Sequence, residues 1–329
     1  PQVTTSPLSA SMFATRNIGI VGRSSQLPGG GVGSTAAETQ VPRRSVDAIG
    51  EVPTARWNSD VWSTLLPWNG ACRVRHGGFV QGSELVDHEL FGCSAAEAVA
   101  MDPQQRLLLE HGYTALHTSG CDRNLLRGSL TGVFLGIVSA EFGQLLASSP
   151  SGGSVYAATG SGLSIASGRL SYVLGLHGPC VSYDTACSAA LSACHGGLRA
   201  LQHGECPTAV LQGVFLMLTP AIGTNFAIAG MTSPLGRSHT FDARADGYAR
   251  GEACGAVMMQ CDPDADVAAL YSRGSAVRQD GRSASLTAPN GKAQDGLLVA
   301  ALADAHLMQT ILPSPRHMVQ GRHLVTLSR

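Results

Sequence analysis

The 329-residue chain is short of charge and of aromatic rings. Charged residues make up 14% of it and aromatics 5%. Lys292 is the only lysine, a bias we attribute to coding rather than to physics. Net charge is −1, so no global field draws the chain to nucleic acid or to an anionic membrane. No Cys-x-x-Cys pair occurs, and the cysteines (72, 93, 121, 180, 187, 194, 206, 254 and 261) are odd in number. Both facts argue against a disulfide scaffold and a zinc site, and for a reducing compartment. Residues 1–16 lack acids and lack the apolar centre of a secretory signal. They read as a transit-peptide end, an upstream linker or a disordered terminus. Position 1 is not Met, although Met12 could be a start. Residues 207–231 carry no charge over a length that could span a bilayer. Pro220 and three glycines interrupt that run, so a buried strand over 209–218 followed by a buried helix fits it better.

What is present is apolar mass and glycine. Hydrophobic residues reach 44%, and 40 residues are Gly. That suits a compact α/β chain with many tight turns. Strands are expected at 17–22, 132–138, 180–183, 253–260 and 268–277. Asp102 can cap a helix whose first turn holds Pro103 and which stops at Gly120. Further helices are expected over 164–174 and from Leu191 to Gly204, and Asn290 can cap one reaching Ala305. Residues 34–72 read as irregular, with Trp57, Trp62 and Trp68 available to pin loops. Cys180, Cys254 and Cys261 lie in apolar runs and read as small core residues. Past Met308 the pattern degrades.

Val-Ser-Tyr-Asp-Thr-Ala-Cys-Ser-Ala-Ala-Leu, residues 181–191, carries the chemistry. A short apolar run stops at Asp184, one thiol follows among small residues, and an amphipathic helix begins. A thiol at a helix N-terminus meets unpaired amides and partial positive charge, which favour the attacking thiolate. Small neighbours let a bulky electrophile approach, and the Cys187 amide can donate to an oxyanion. On local pattern alone, a buried structural cysteine remains the alternative.

Longer blocks resemble one family. Asn-Ile-Gly-Ile-Val-Gly with Leu-Pro-Gly-Gly (17–30) comes first, then Asp-Ala-Ile-Gly-Glu-Val-Pro-Thr-Ala-Arg-Trp (47–57). Residues 75–80, Ala-Met-Asp-Pro-Gln-Gln-Arg-Leu-Leu-Leu-Glu (100–110) and Asp-Thr-Ala-Cys-Ser (184–188) follow. Phe-Asp-Ala-Arg-Ala-Asp-Gly-Tyr-Ala-Arg-Gly-Glu (241–252) and Leu-Thr-Ala-Pro-Asn-Gly (286–291) complete the order. Over 17–305 the chain is similar to the β-ketoacyl synthase (ketosynthase) domain of modular type I polyketide synthases.

The resemblance implies a thiolase-like, five-layered αβαβα fold, with the first half complete and the second partial. It divides the chain into 1–16 (linker), 17–260 (first half, with the nucleophile), 261–305 (start of the second half) and 306–329 (non-matching tail). It makes Cys187 the acyl acceptor of an acyltransferase in polyketide or fatty-acid assembly. Its partners are then an acyl carrier protein, whose phosphopantetheine arm bears the substrates, and a second copy in a homodimer. No permanently bound cofactor, metal, nucleic acid or membrane is implied. A cytoplasmic or plastid location is compatible. The family's two histidines, in His-Gly-Thr-Gly-Thr and Gly-His blocks, are missing. His306, His317 and His323 lack that context, which reads as a truncated or frame-shifted end with condensation impaired. A non-condensing scaffold is the alternative. A cysteine hydrolase is weaker, because no His/Asn signature accompanies the thiol.

Smaller readings complete the sequence. Asp242, Arg244, Asp246, Arg250 and Glu252 form a charged cluster expected as a salt-bridged turn. His195 is expected to be a packed helix histidine. Tyr183 and Asp184 are expected to fix the turn before Cys187. Residues 160–168 imitate a phosphate loop but lack a following Gly-Lys-Ser/Thr. Gln212, Arg278 and the polar stretch 34–44 depart from the family pattern.

Overall fold

The computed structural model describes residues 16–29, 46–64, 72–138, 140–285 and 288–307. Its strands are β1 (Ile18–Gln26), β2 (Gly50–Glu51), β3 (His76–Gly77), β4 (Gly132–Ile137), β5 (Cys180–Tyr183), β6 (Thr208–Phe215), β7 (Ala253–Cys261) and β8 (Leu270–Ser272). Six of them form one mixed sheet in the order β5-β4-β6-β7-β1-β8, and β2 pairs with β3 separately. β4 runs parallel to β5 and β6, while β7 is antiparallel to both β6 and β1. Every residue of β4 is buried, as an unbroken apolar run covered on both faces should be.

Three longer helices cover this sheet, α1 (Pro103–Thr118), α2 (Leu163–Leu174) and α3 (Ala189–His203), and a fourth, α4 (Gly291–Asp304), is joined to α3 by Arg199 and Asp304. The Asp102 carboxylate accepts from the Gln104 amide at 2.8 Å, and Pro103 opens α1. Helix α1 lies over β1, β7 and β6, with α2 beside it over β5 and β4. Helix α3 covers β4, β6 and β5 and ends at Gly204, which adopts φ +76°. Side-chain alternation puts α3 on the other face. Val210 of β6 joins α1's Leu109 and Leu116 in one apolar cluster, whereas Leu211 joins α3's Ala193 and Leu198 in another.

Glycine permits the close contact between α3 and the sheet. Gly136 of β4 and Gly213 of β6 stand side by side in register. A Cβ on Gly136 would overlap the backbone of Ala189 and Ala190, and one on Gly213 would come within 2.8 Å of the Ala190 Cβ. The start of the helix thus rests almost directly on two strands.

Several expectations need correction. β1 continues to Gln26, beyond the expected end at Gly22, because an irregularity between Ile20 and Gly22 lets pairing with β7 resume. The strand expected over 268–277 shrinks to β8, because the chain turns at Gly274 to lie against the end of α4 at Ala301 and Ala305. The stretch 34–72 is not wholly irregular. Asn58 accepts from the Asp60 and Val61 amides and starts a short helix, Ser59–Thr64. Trp57 pins its loop by an edge contact with Phe79 at 5.9 Å, Trp62 is exposed, and Trp68 lies outside the described residues, as do residues 34–44. Cys180 is exposed rather than core, because β5 is the edge of the sheet; Cys261 is half-buried and Cys254 fully buried. The phosphate-loop imitation at 160–168 is helical. Run 207–231 is β6 followed by the helix Ala221–Ile228, and no described helix is long and apolar enough to cross a membrane.

Candidate active site

β5 delivers the chain to Asp184 and Thr185, and a single 3-10 turn, Ala186–Ser188, joins it to α3. Cys187 sits on that turn and is exposed. Ala186 has φ +54°, a left-handed conformation that costs a non-glycine residue about 1–2 kcal/mol. The Asp184 carboxylate accepts from the Ala186 amide at 3.2 Å. The Ser188 hydroxyl donates to the Thr185 carbonyl at 2.8 Å and lies 2.9 Å from Thr185 Oγ1. Thr185 Oγ1 stands 3.0 Å from Ser192 Oγ, inside the helix. Tyr183 braces the same helix from below, since a Cβ on Gly196 would overlap its hydroxyl. Asp184 thus bonds the turn, whereas Tyr183, expected to fix it too, meets the helix at Gly196 instead. Ser192 was not anticipated, and a lone serine inside an amphipathic pattern gives no signal.

A second segment approaches the thiol. Burial raises the Tyr248 phenol above its ordinary range; Arg250 opposes this, and charge on Cys187 adds to it. The Tyr248 ring meets Phe226 edge-on at 6.5 Å. The Arg250 guanidinium lies between Phe215 and Phe226, 5.3 and 5.4 Å from their centroids. Burial lowers the pKa of Arg250. The result is a half-aromatic wall beside the sulfur. Phe226 escaped the sequence reading because it sits in a uniformly apolar run.

The charged cluster at 242–252 is not one salt-bridged turn. Only Asp242 and Arg244 pair with each other, at 2.7 Å and at the surface. Glu252 is buried and faces away, accepting from Arg56 at 3.0 Å and from the Val80 and Met217 amides at 2.8 Å each. Glu141 does similar work, accepting from Leu218 N at 3.0 Å and Thr219 Oγ1 at 2.8 Å. These two carboxylates tie down the chain leaving β6, behind the wall. Gln212 is buried on the α1 side, where it donates to the Leu108 carbonyl at 2.7 Å; Gly112 leaves it room. Arg278 stands near Gly296 of α4.

His195 Nδ1 is 3.0 Å from Ser275 Oγ, and burial, then Arg199, lowers the imidazole pKa. Arg199 pairs with Asp304 at 2.7 Å, joining α3 to α4. His306 lines a cavity of about 690 Å³ with Arg16, Arg199, His203 and Arg273. His203 is the last residue of α3, so this cavity lies at the opposite end of the helix from Cys187, about 22 Å along its axis. His317 and His323 lie outside the described residues.

Residues 15–265 match the family model described as "Beta-ketoacyl synthase, N-terminal domain". The spectinabilin polyketide synthase system protein NorC of Streptomyces orinoci is 39% identical over 92% of this chain and 14% of its own length. The phenolphthiocerol synthesis polyketide synthase of Mycobacterium bovis is 41% identical over 89% of this chain and 14% of its own. The ketosynthase from module 6 of the bacillaene synthase of Bacillus subtilis 168 superposes with a TM-score of 0.80 at 32% identity. That match covers 88% of this chain and 49% of the solved one. An oxazolomycin ketosynthase domain of Streptomyces albus JA3453 also gives a TM-score of 0.80, at 30% identity over 89% of this chain. The chain thus spans about half of the solved ketosynthases and a small part of the curated synthases. With this sheet, this turn and these matches, the chain belongs to the β-ketoacyl synthase family and has the N-terminal half of the thiolase-like ketosynthase fold of polyketide synthases.

Proposed function

We propose that this chain accepts an acyl group on Cys187 as the first half-reaction of a ketosynthase in polyketide assembly. The observation that carries this is an exposed thiol on a strained strand-to-helix turn, fixed by Asp184, Thr185 and Ser188. The Cys187 thiolate attacks the carbonyl carbon of a carrier-bound thioester. The Cys187 amide donates to the oxygen as charge develops there. The C–S bond to the phosphopantetheine arm breaks, and the departing thiolate takes up the proton that Cys187 gave up. In the second half-reaction a malonyl-type carrier thioester loses carbon dioxide, and its enolate carbon attacks the acyl-cysteine and frees the thiolate. That step calls for the family's histidine blocks, and this sequence lacks them.

A second copy fits the free edge of β5. The strand ends the sheet, Cys180 is exposed, and Val181 is 38% exposed. Its unpaired amides and carbonyls invite an antiparallel partner strand. A non-condensing scaffold is the second reading, favoured because His195 bonds Ser275 and His306 lies at the far end of α3. Incubating the chain with an acyl-pantetheine thioester and weighing the Cys187 peptide separates the two. We expect an acyl adduct on Cys187 that is lost in Cys187→Ala. A wild-type chain that folds and stays unmodified supports the scaffold.

A further inference from the structure

A left-handed conformation at an alanine persists only where its surroundings over-determine it. At Ala186 two of the bonds that do so are local: the Asp184 carboxylate to the Ala186 amide, and the Ser188 hydroxyl to the Thr185 carbonyl. Both stay within the turn, so neither ties it to the body of the protein. A third contact leaves the turn. Thr185 Oγ1 lies between Ser188 Oγ at 2.9 Å and Ser192 Oγ at 3.0 Å. Ser192 sits one helical turn inside α3 and is 9% exposed. Ala189 and Ala190, at the start of the same helix, rest on the Gly136–Gly213 pair, which leaves this end of α3 no room to move toward the sheet.

Serine is an indifferent helix former, and inside helices its hydroxyl usually bonds the preceding turn's carbonyl or water. Here the hydroxyl meets the threonine that opens the turn. Alanine would serve the helix better, so packing does not account for the residue.

We infer that Ser192 is a positioning residue for the Cys187 reaction, holding Thr185, and through it Ser188, so that the left-handed turn keeps the sulfur aimed outward. The inference rests on Cys187 being the nucleophile, and Ser192 itself touches no substrate.

Two near-isosteric substitutions test it in the full 329-residue chain. Ser192→Thr keeps the hydroxyl; Ser192→Val keeps the shape of threonine without it. The readout is the rate of Cys187 carbamidomethylation by iodoacetamide from about pH 6 to 9, followed by peptide mass spectrometry. Half-buried Cys121, just past the end of α1, is the internal reference. The titratable and charged groups around the turn, Asp184, Tyr248 and Arg250, are the same in every variant. Ser192→Thr should match wild type within about twofold. Ser192→Val should change the Cys187 rate about three- to tenfold and move its pH midpoint, with Cys121 unaffected. Acyl transfer should show the same split in kcat, with KM unmoved.

Equal Cys187 rates in the wild type and Ser192→Val overturn the inference. So does a parallel change at Cys121, which signals general loosening. If the valine variant melts below the threonine variant, Ser192→Ala, which cannot overpack the site, takes its place. Alkylation reports on the turn whether or not an acyl group is accepted. A wild-type chain without an acyl adduct therefore defeats the proposed function and leaves this comparison intact.

Discussion

At the scale of single residues, the molecule keeps several carboxyl groups out of water, and Asp102 should leave a signature in pH. Asp102 is 2% exposed, and burial raises its pKa to about 6, against the pull of its hydrogen bonds to Gln104 and of Arg106. The sign follows from linkage. The folded state holds the proton more tightly than the unfolded one, so this group's stabilisation is complete below about pH 4 and is lost as pH rises through about 6. Asp102→Asn keeps a capping oxygen and has no proton to exchange. Urea melts at pH 4 and pH 7 should therefore show the wild type gaining up to roughly 3 kcal/mol relative to the variant on acidification. An unchanged difference between the two pH values contradicts the assignment. Asp102 was legible from sequence because an acid before proline at a helix start is a local signal. Glu252 was not, because its partners Arg56, Val80 and Met217 are scattered along the chain and no spacing announces them. The same separation hid Phe226, which meets Tyr248 and Arg250 of a later segment, whereas Ser192 lies only seven positions from Thr185 and was hidden because a lone serine in a helix carries no signal.

At the scale of elements, periodicity revealed where helices and strands lie, and side-chain size explains how closely they meet. Helix α3 was expected from its apolar spacing, and its stop at Gly204 followed from a glycine after the last turn. The contact beneath it was not expected, since Gly136 and Gly213 lie 77 positions apart and meet only through strand register. That contact makes a graded prediction. A methyl at position 136 overlaps helix backbone, which cannot yield, whereas one at 213 meets the Ala190 methyl group at 2.8 Å. Gly136→Ala should cost about 3 kcal/mol and Gly213→Ala about 1 kcal/mol, read as shifts of the urea midpoint at constant m. The reverse order, or no cost at 136, contradicts this packing. Strand β8 shows the converse failure. Its sequence has the apolar run of a longer strand, yet Gly274 turns the chain against the end of α4, an interaction no local pattern contains.

At the scale of the whole molecule, the six-stranded sheet and the helices on its two faces hold the Cys187 turn at the end of β5. The α/β class and the family could be read from the sequence because several long blocks recur in order. The free edge of β5 could not, because whether a strand lies at an edge depends on the order of all the others. That edge predicts association. The chain should sediment as a dimer, and Val181→Lys, which places a charge on an unpaired edge, should sediment as a monomer with its fold intact by circular dichroism. A wild-type monomer, or a dimer indifferent to the lysine, removes β5 as the contact.

The order β5-β4-β6-β7-β1-β8 also bears on how the chain is made. Among the described strands β1 is made before all the others, yet it pairs there only with β7 and β8, more than 200 residues later. At about 5–20 residues per second, roughly ten to fifty seconds of synthesis pass before it meets a partner. Throughout that interval its backbone waits without a partner strand, with α1 available to cover one of its faces. Pairing of such long range is intrinsically slow, and it is written into the position of one strand.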